Sequence, residues 1–590
     1  MNDDFVFGNT ATQNATPGAQ VTSNGIIHRS ARMPLAPKPG EPVQLTLKVN
    51  ADQHYDAAWV YYTTDGSDPS GQTGKPAQGT ALTMLSENTA WNPETKHQER
   101  LFQVVIPGQE AGTVVRYRIS TYSEKHGEVF ADNGLMYGYL TSDHTPPSWT
   151  QEAIIYHIFI DRFASVDGFA IDPDGPLDGF MGGSLKGITN QLDYLVALGV
   201  NVLYLSPIFT SPSYHGYDAV NYYEIENRLG SLKEFKELLD QAHARNLRVI
   251  LDFVPNHCSD HHPSFQSAIS DSYSPYRDWF TFNTYPNDFK TFFGVRSMPC
   301  FNLRNKDTRD YILNAILYWL DFGVDGYRLD YAIGPSPDFW AELSQVVQNR
   351  HPDAWVFGEV VDSLDVQLSF NGLLDGVLDF KLMEALRQTF AYCNWKANDF
   401  TTFLTHHQAF FPDPFSRPSF LDNHDMDRFL WAAGGEKRKL KLAALCQFTL
   451  SGAPIIYYGT EIGLSQRKSV TQEDTRFGVL EEARLPMPDA KDIDLLEFYT
   501  GLIQFRKANL ACISGTWTLL ENNPEIIAYR CINENQKIVV ALNITPREQT
   551  LVLANNWNKQ VFTTSPGTAL IQHAETTEIH LPPLTGAVLS

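Results

Sequence analysis

SLKEFKELLDQAHARNLRVILDFVPNH, residues 231–257, reads as a helix, SLKEFKELLDQAHARN, running into an apolar strand, LRVILDFVP, that ends on polar residues. The same alternation extends in both directions. Upstream stand AIIYHIFI (153–160), a helical stretch around Ile188–Leu198, and NVLYLSP (201–207). Downstream stand GYRLD (326–330), WVFGE (355–359), GVLDF (376–380), SFLDN (419–423) and APIIYYG (453–459). Strands that alternate with helices imply a parallel sheet, and eight of them is the number a (β/α)8 TIM barrel needs. The spacing places this barrel over residues 150–513. The Asp-, Ser-, Tyr- and Phe-rich segment 258–302 breaks the alternation after the third strand and reads as an inserted domain.

The flanks differ. Residues 1–40, rich in Thr, Asn, Gly and Pro, read as a loose lead-in. Over 41–145 short runs (VQLTLKV, AAWVYYTT, LFQVVI, VVRYRIS) alternate with turn clusters such as Asp65-Gly66-Ser67-Asp68-Pro69, predicting an N-terminal β-sandwich. SDHTPPSW is a linker. Residues 514–590 return to short strands (IIAYRC, KIVVALNI, QTLVLA, EIHLPP) and predict a smaller C-terminal β-sandwich.

Composition excludes several classes. The 590 residues carry 45 Lys and Arg against 68 Asp and Glu, a net charge of −23, which argues against a nucleic-acid partner. A hydrophobic content of 43% excludes a disordered chain. No run of about 18 apolar residues predicts a membrane span, and the acidic, polar N-terminus is not an export signal, so a cytoplasmic location is expected. Six cysteines without a CxxC pair point to buried thiols rather than a metal or redox framework.

Polar residues gather at the C-terminal ends of the expected strands, the face on which such barrels carry their active sites. They include Asp252, Asn256 and His257 after the third strand, Arg328 and Asp330 on the fourth, Glu359 after the fifth, and Asp422, Asn423, His424 and Asp425 after the seventh. Converging carboxylates repel, a cost that function explains. Glycoside hydrolysis requires such a set: one carboxylate beside the anomeric carbon and one acid beside the leaving oxygen. Arg328 shares a strand face with Asp330 and is placed to keep it ionised. Glu359 follows the apolar Trp355-Val356-Phe357, and partial burial raises a carboxyl pKa as a proton donor needs.

DFVPNH (252–257), GYRLD (326–330), GEV (358–360) and FLDNHD (420–425), in this order, closely resemble the four conserved regions of the α-amylase family, glycoside hydrolase family thirteen. YHIFIDRF, NVLYLSPIF, HGYDAVNYYEI, MPCFN and GAPIIYYGTEIGL add to a resemblance spanning roughly residues 150–515. The resemblance implies that Asp330 is the nucleophile, Glu359 the general acid/base and Asp425 the third carboxylate gripping sugar hydroxyls. It also implies a substrate-binding set of His215, Tyr217, Asp252, His257, Arg328 and His424, with Tyr217 stacking under the reacting glucose. No cofactor is implied for the chemistry. A structural calcium, at Asn256 or at a loop with Asp167, Asp172 and Asp174, is an open expectation, and the metal ligands are unknown.

The β domain before the barrel and the MPCFN segment resemble the cyclomaltodextrinase, neopullulanase and maltogenic amylase group. This implies α-glucan or maltooligosaccharide substrates and a homodimer formed through the N-terminal domain. Tyr331-Ala332-Ile333-Gly334 departs from the group's usual Val-Ala-Asn-Glu after the nucleophile. Three activities therefore stay open: hydrolysis of α-1,4 bonds in maltooligosaccharides, cyclodextrins, pullulan or starch; glycosyl transfer through the same intermediate; and an ordinary endo-acting α-amylase. Retention of all three carboxylates argues against a non-catalytic scaffold.

Overall fold

In the parallel sheet at the centre of the chain, strands Gly376–Val377, Trp355–Gly358, Gly326–Leu329, Arg248–Phe253, Val202–Leu205, Ile155–Ile158 and Ile455–Tyr457 are neighbours in that order. This arrangement comes from a computed structural model, which describes residues 25–92, 97–169, 177–471, 480–555 and 557–590. The strands are buried on both faces, as βα crossovers require. Ile155, Val202, Tyr204, Ile250, Trp355 and Phe357 pack together in one core, and Tyr156, Leu203, Val249, Leu251 and Tyr327 belong to another with the surrounding helices. The alternation follows the two-residue period of a strand.

The expected strand SFLDN is corrected by the structure. Residues 416–419 close the ring through isolated parallel bridges, Gly376 to Ser416 and Ser419 to Pro454. Val377 N donates to Ser416 O at 3.0 Å, and Ile455 N to Ser419 O at 2.7 Å. Pro418 lies between these contacts and has no N–H to give, so no regular ladder forms here. The stretch expected as one helix near Ile188–Leu198 is two, Leu185–Asn190 and Leu192–Leu198. The helix read at the outset spans Leu232–His243 and starts in a capping box, Ser231 with Glu234.

Between the third barrel strand and helix Lys306–Phe322 lie a helix, Pro263–Ser270, and two hairpins, Phe282–Thr284 with Asp288–Phe289 and Thr291–Phe292 with Val295–Pro299. Before the barrel, nine antiparallel strands form a continuous sheet. Its longest strand, Thr80–Asn92, pairs with Ala57–Thr63 along one part and with His97–Ile106 along another. The strands enclose Leu45, Leu47, Val60, Phe102, Tyr117 and Ile119. After the barrel, a five-stranded and a three-stranded antiparallel sheet share a core of Ile526, Val539, Ala541, Leu551, Ile579 and Leu581.

The N-terminal sheet is fastened to the barrel by a buried ion cluster. Arg116 donates to Asp338 Oδ2 through Nε at 3.1 Å and Nη2 at 2.8 Å, and Arg309 Nη2 donates to the same oxygen at 2.7 Å. Asp338 is fully buried at the start of helix Pro337–Arg350, and Ser336 Oγ donates to its other oxygen at 2.5 Å. A side chain at position 138 would lie 2.6 Å from Asp338 Cα, so Gly138 is what allows this approach. Five of the six cysteines are buried free thiols, whereas Cys393 is exposed. Among the described residues no helix is long and apolar enough to cross a membrane.

Candidate active site

Inward-facing positions of neighbouring strands meet at the C-terminal mouth of the barrel. Asp252 stands opposite Arg328 in the ladder, and Arg328 opposite Phe357, so Asp330 and Glu359 follow on the same face two residues on. They open onto a cleft of about 950 Å³, its solvent mouth included. The structure brings together along it His215, Tyr217, His257, Asp330, Glu359, His424 and Asp425.

Asp252 and Arg328, expected to bind substrate, do not line the cleft but lie beneath it. Asp252 is fully buried, with Oδ2 accepting from Tyr204 Oη at 2.8 Å and Tyr217 Oη at 2.9 Å. Arg328 Nη1 donates to both Asp252 oxygens, at 2.7 and 3.0 Å, and to Asp330 Oδ1 at 2.9 Å. Its Nη2 is 2.5 Å from Glu359 Oε1. One guanidinium thus touches three carboxylates. Asp330 Oδ2 is buried without a hydrogen-bond partner, leaving a lone pair for a reacting atom. Glu359 Oε2 accepts from Tyr331 N at 3.1 Å.

Burial pushes the Glu359 carboxyl above its ordinary range; Arg328 opposes this and the charge of Asp425 adds to it. Burial also raises Asp330, with Arg328 opposing and Glu359, Asp252 and Asp425 reinforcing. Arg328 alone therefore does not hold Asp330 ionised; the buried pair titrates together. For Asp425 burial is outweighed by His424 Nε2 at 3.0 Å and Arg484 Nη2 at 3.0 Å, which hold it well below the carboxylate range. Three buried carboxyls thus divide into one ionised group and a pair able to keep a proton.

The histidines are arranged for hydroxyl recognition. Burial lowers His215 and His257 to about 3, so both rings are neutral and each presents one donor and one acceptor. His215 Nδ1 accepts from Tyr217 N at 3.1 Å. His257 Nε2 and His424 Nδ1 are buried without partners. The Tyr217 ring stacks on His424, with centroids 5.1 Å apart and planes at 7°, and the two share a 2.6 Å hydrogen bond.

Sequence reasoning missed Arg484. It donates to His424 O at 2.9 Å, Tyr214 Oη at 2.9 Å and Asp425 Oδ1 at 3.0 Å, and so fixes the third carboxylate. It also missed an aromatic wall, Phe292 and Phe293 against Tyr331. Arg484 follows no strand, and the phenylalanines sit in a segment whose many aromatics read as core; neither carries a local signal. Asn256 faces inward to His257 Nδ1 at 3.4 Å and Cys300 Sγ at 3.7 Å. Asp172 and Asp174 lie outside the described residues. Among the described ones no group of three or more His, Cys, Asp or Glu is placed to hold a metal ion.

A (β/α)8 barrel with three carboxylates and neutral histidines around one mouth defines a class: enzymes acting on glycosidic bonds. The sequence profile of the alpha amylase catalytic domain matches residues 157–492. Alpha-amylase 2 of Dictyoglomus thermophilum is 35% identical over 553 residues, 93% of each chain. A cyclomaltodextrinase of a Bacillus species is 35% identical over 434 residues, 69% of this chain and 75% of its own. The solved structure of a cyclomaltodextrinase superposes with a TM-score of 0.69 at 26% identity, over 96% of this chain and all of that one. The chain belongs to the alpha-amylase family and is an α-glucan hydrolase.

Proposed function

We propose that this enzyme hydrolyses α-1,4-glucosidic bonds of short or cyclic α-glucans, maltooligosaccharides and cyclodextrins above all, by double displacement with retention. Glu359 protonates the glycosidic oxygen while Asp330 Oδ2 attacks the anomeric carbon; Glu359 then takes the proton of the incoming water. Asp425, fixed by Arg484, grips hydroxyls of the distorted sugar, Tyr217 stacks beneath it, and His215, His257 and His424 bind its rim. Proton and nucleophile both come from side chains, so the reaction needs no cofactor. The observation that carries this reading is the single Arg328 guanidinium touching Asp330 and Glu359. It ties the two carboxyls to one small area, as a retaining pair about 5–5.5 Å apart requires. We assign residues 41–145 and 514–590 to separate β domains, the first pairing two copies of the chain.

The test is a time-resolved product profile on maltotriose, γ-cyclodextrin and soluble starch for the wild type and Asp330→Asn. The wild type is expected to turn over maltotriose and cyclodextrin faster than starch, with retention at the new reducing end. Asp330→Asn should bind maltotriose while losing most activity. Activity within about tenfold of wild type overturns the assignment of the nucleophile, and a preference for starch with long early products points to an endo-acting amylase.

A further inference from the structure

A groove of about 2080 Å³, its solvent mouth included, lies at the end of the barrel opposite the catalytic mouth. Gln151 lines it just before strand Ile155–Ile158, Ala453 just before strand Ile455–Tyr457, and Ser416 where the bridged stretch 416–419 begins. All three stand at N-terminal strand ends, whereas Asp330 and Glu359 follow C-terminal ones. Helix Ala397–Phe410 adds Thr405 and Gln408, and the C-terminal domain closes the far side with Trp517 and Thr518 of strand Thr516–Asn522. That strand is an edge of its five-stranded sheet.

The lining is neutral and rich in hydrogen-bonding groups. Asp413 and Arg417, of opposite sign, are its only charged residues, whereas nine others carry a hydroxyl or a side-chain amide. Several of these groups are not used by the fold. Among the described residues no side-chain hydrogen bond engages Gln151, Ser416 or Thr518. Gln408 Oε1 accepts from Ser451 Oγ at 3.0 Å, which leaves its Nε2 without a partner. Trp517 Nε1 is buried without a partner too, although a buried indole N–H usually has one.

We propose that this groove is a second, non-catalytic site for a neutral carbohydrate, a length of α-glucan chain laid against Trp517. The choice of an α-glucan rests on the hydrolytic reading above. Sugars carry closely spaced uncharged hydroxyls on rings with apolar faces, so they fit neutral donors and acceptors beside a flat indole. A charged ligand finds no net charge here, because Asp413 and Arg417 cancel. An apolar one covers the unpartnered polar groups and takes their water without replacing it. The site binds without cutting, since Asp413 is its single carboxyl and a retaining reaction needs two. Pro414 and Phe415 also line a neighbouring cavity with Ser142 and Asn371, so the depression continues toward the N-terminal domain as an extended ligand requires. A chain held at the base leaves the mouth free and keeps the enzyme on a long glucan between cuts.

The full chain carrying Asp330→Asn leaves its ligand uncut and can be titrated with maltoheptaose in a calorimeter. Two equivalents are expected to bind, one at the catalytic mouth and one at the base. In that background Trp517→Ala should weaken one equivalent roughly 3- to 10-fold, the worth of an aromatic contact, and leave the other unchanged. Gln151→Ala with Gln408→Ala should do the same through lost hydrogen bonds, and this pair tests the site even where loss of the indole unsettles the C-terminal domain. In the wild-type background neither change should move kcat/KM on maltotriose. A single equivalent, or two that keep full affinity in both variants, overturns the site. The hydrolytic reading fails on a different result, a wild type that leaves maltotriose uncut, whereas binding at the base is measured without turnover.

Discussion

Arg328 sets the charge state of the site because it bonds three acids and yet leaves their total charge unbalanced. Asp252 and Asp330 receive aligned hydrogen bonds from it, whereas Glu359 has only the charge contact at 2.5 Å. A proton shared within the Asp330–Glu359 pair is therefore best placed on Glu359. The sign of the pH dependence follows. Activity needs Asp330 ionised and Glu359 protonated, so kcat/KM on maltotriose falls when the pair takes up its second proton in acid. It falls again when the pair loses its last proton at higher pH. Since burial raises Glu359, the alkaline midpoint should lie above the ordinary glutamate value of about 4.3. Glu359→Gln should cost about 10²- to 10⁴-fold and abolish that limb. A limb that persists in the variant assigns the proton to another group.

At the scale of elements, the residues legible in the sequence were those at regular strand ends. Asp330 and Glu359 lie within two residues of their last ladder partners, so strand period alone fixes the face they share. Where the ladder fails, reading fails too. Pro418 leaves SFLDN without regular pairing, and Arg484 reaches Asp425 from a segment that belongs to no strand. The ion cluster at Asp338 was equally illegible. Arg116, Arg309 and Asp338 are far apart in the chain, and nothing local marks an arginine for burial. Their energetic weight is testable. Asp338→Ala removes the acid shared by two guanidinium groups that are 8% and 4% exposed, leaves Arg116 with Asp68 and Arg309 with Glu342, and should cost about 1–3 kcal/mol in denaturant or thermal unfolding. A melting temperature unchanged from wild type would show that the cluster adds nothing to the junction.

For the whole molecule, charge and composition argue against a nucleic-acid partner but name no substrate, and the architecture came from alternation rather than from any one motif. What composition cannot show is which surface is meant to be covered. On the outer face of the N-terminal sheet, Met33 and Val105 flank Gln44, and Leu85 and Thr46 flank Gln103. The three apolar side chains are 51–72% exposed, a patch suited to meeting its own copy about a twofold axis. Sedimentation at micromolar concentration should give a dimer, and Leu85→Asp with Val105→Asp a monomer of unchanged secondary structure. A wild type that sediments as a monomer removes this pairing.

The staple at Asp338 also bears on how the chain would answer a protease. The linker after Thr141 is short, but the contacts across the junction do not run through it. Besides Arg116, Gln345 Nε2 donates to Gly112 O at 2.5 Å, and Arg32 Nη2 donates to Asn371 O at 2.9 Å. The first two converge on helix Pro337–Arg350, which begins one loop after the nucleophile. A single cut in the linker would nick the chain without freeing its amino-terminal part. The two pieces would travel as one particle through a sizing column and separate only when the barrel itself unfolds.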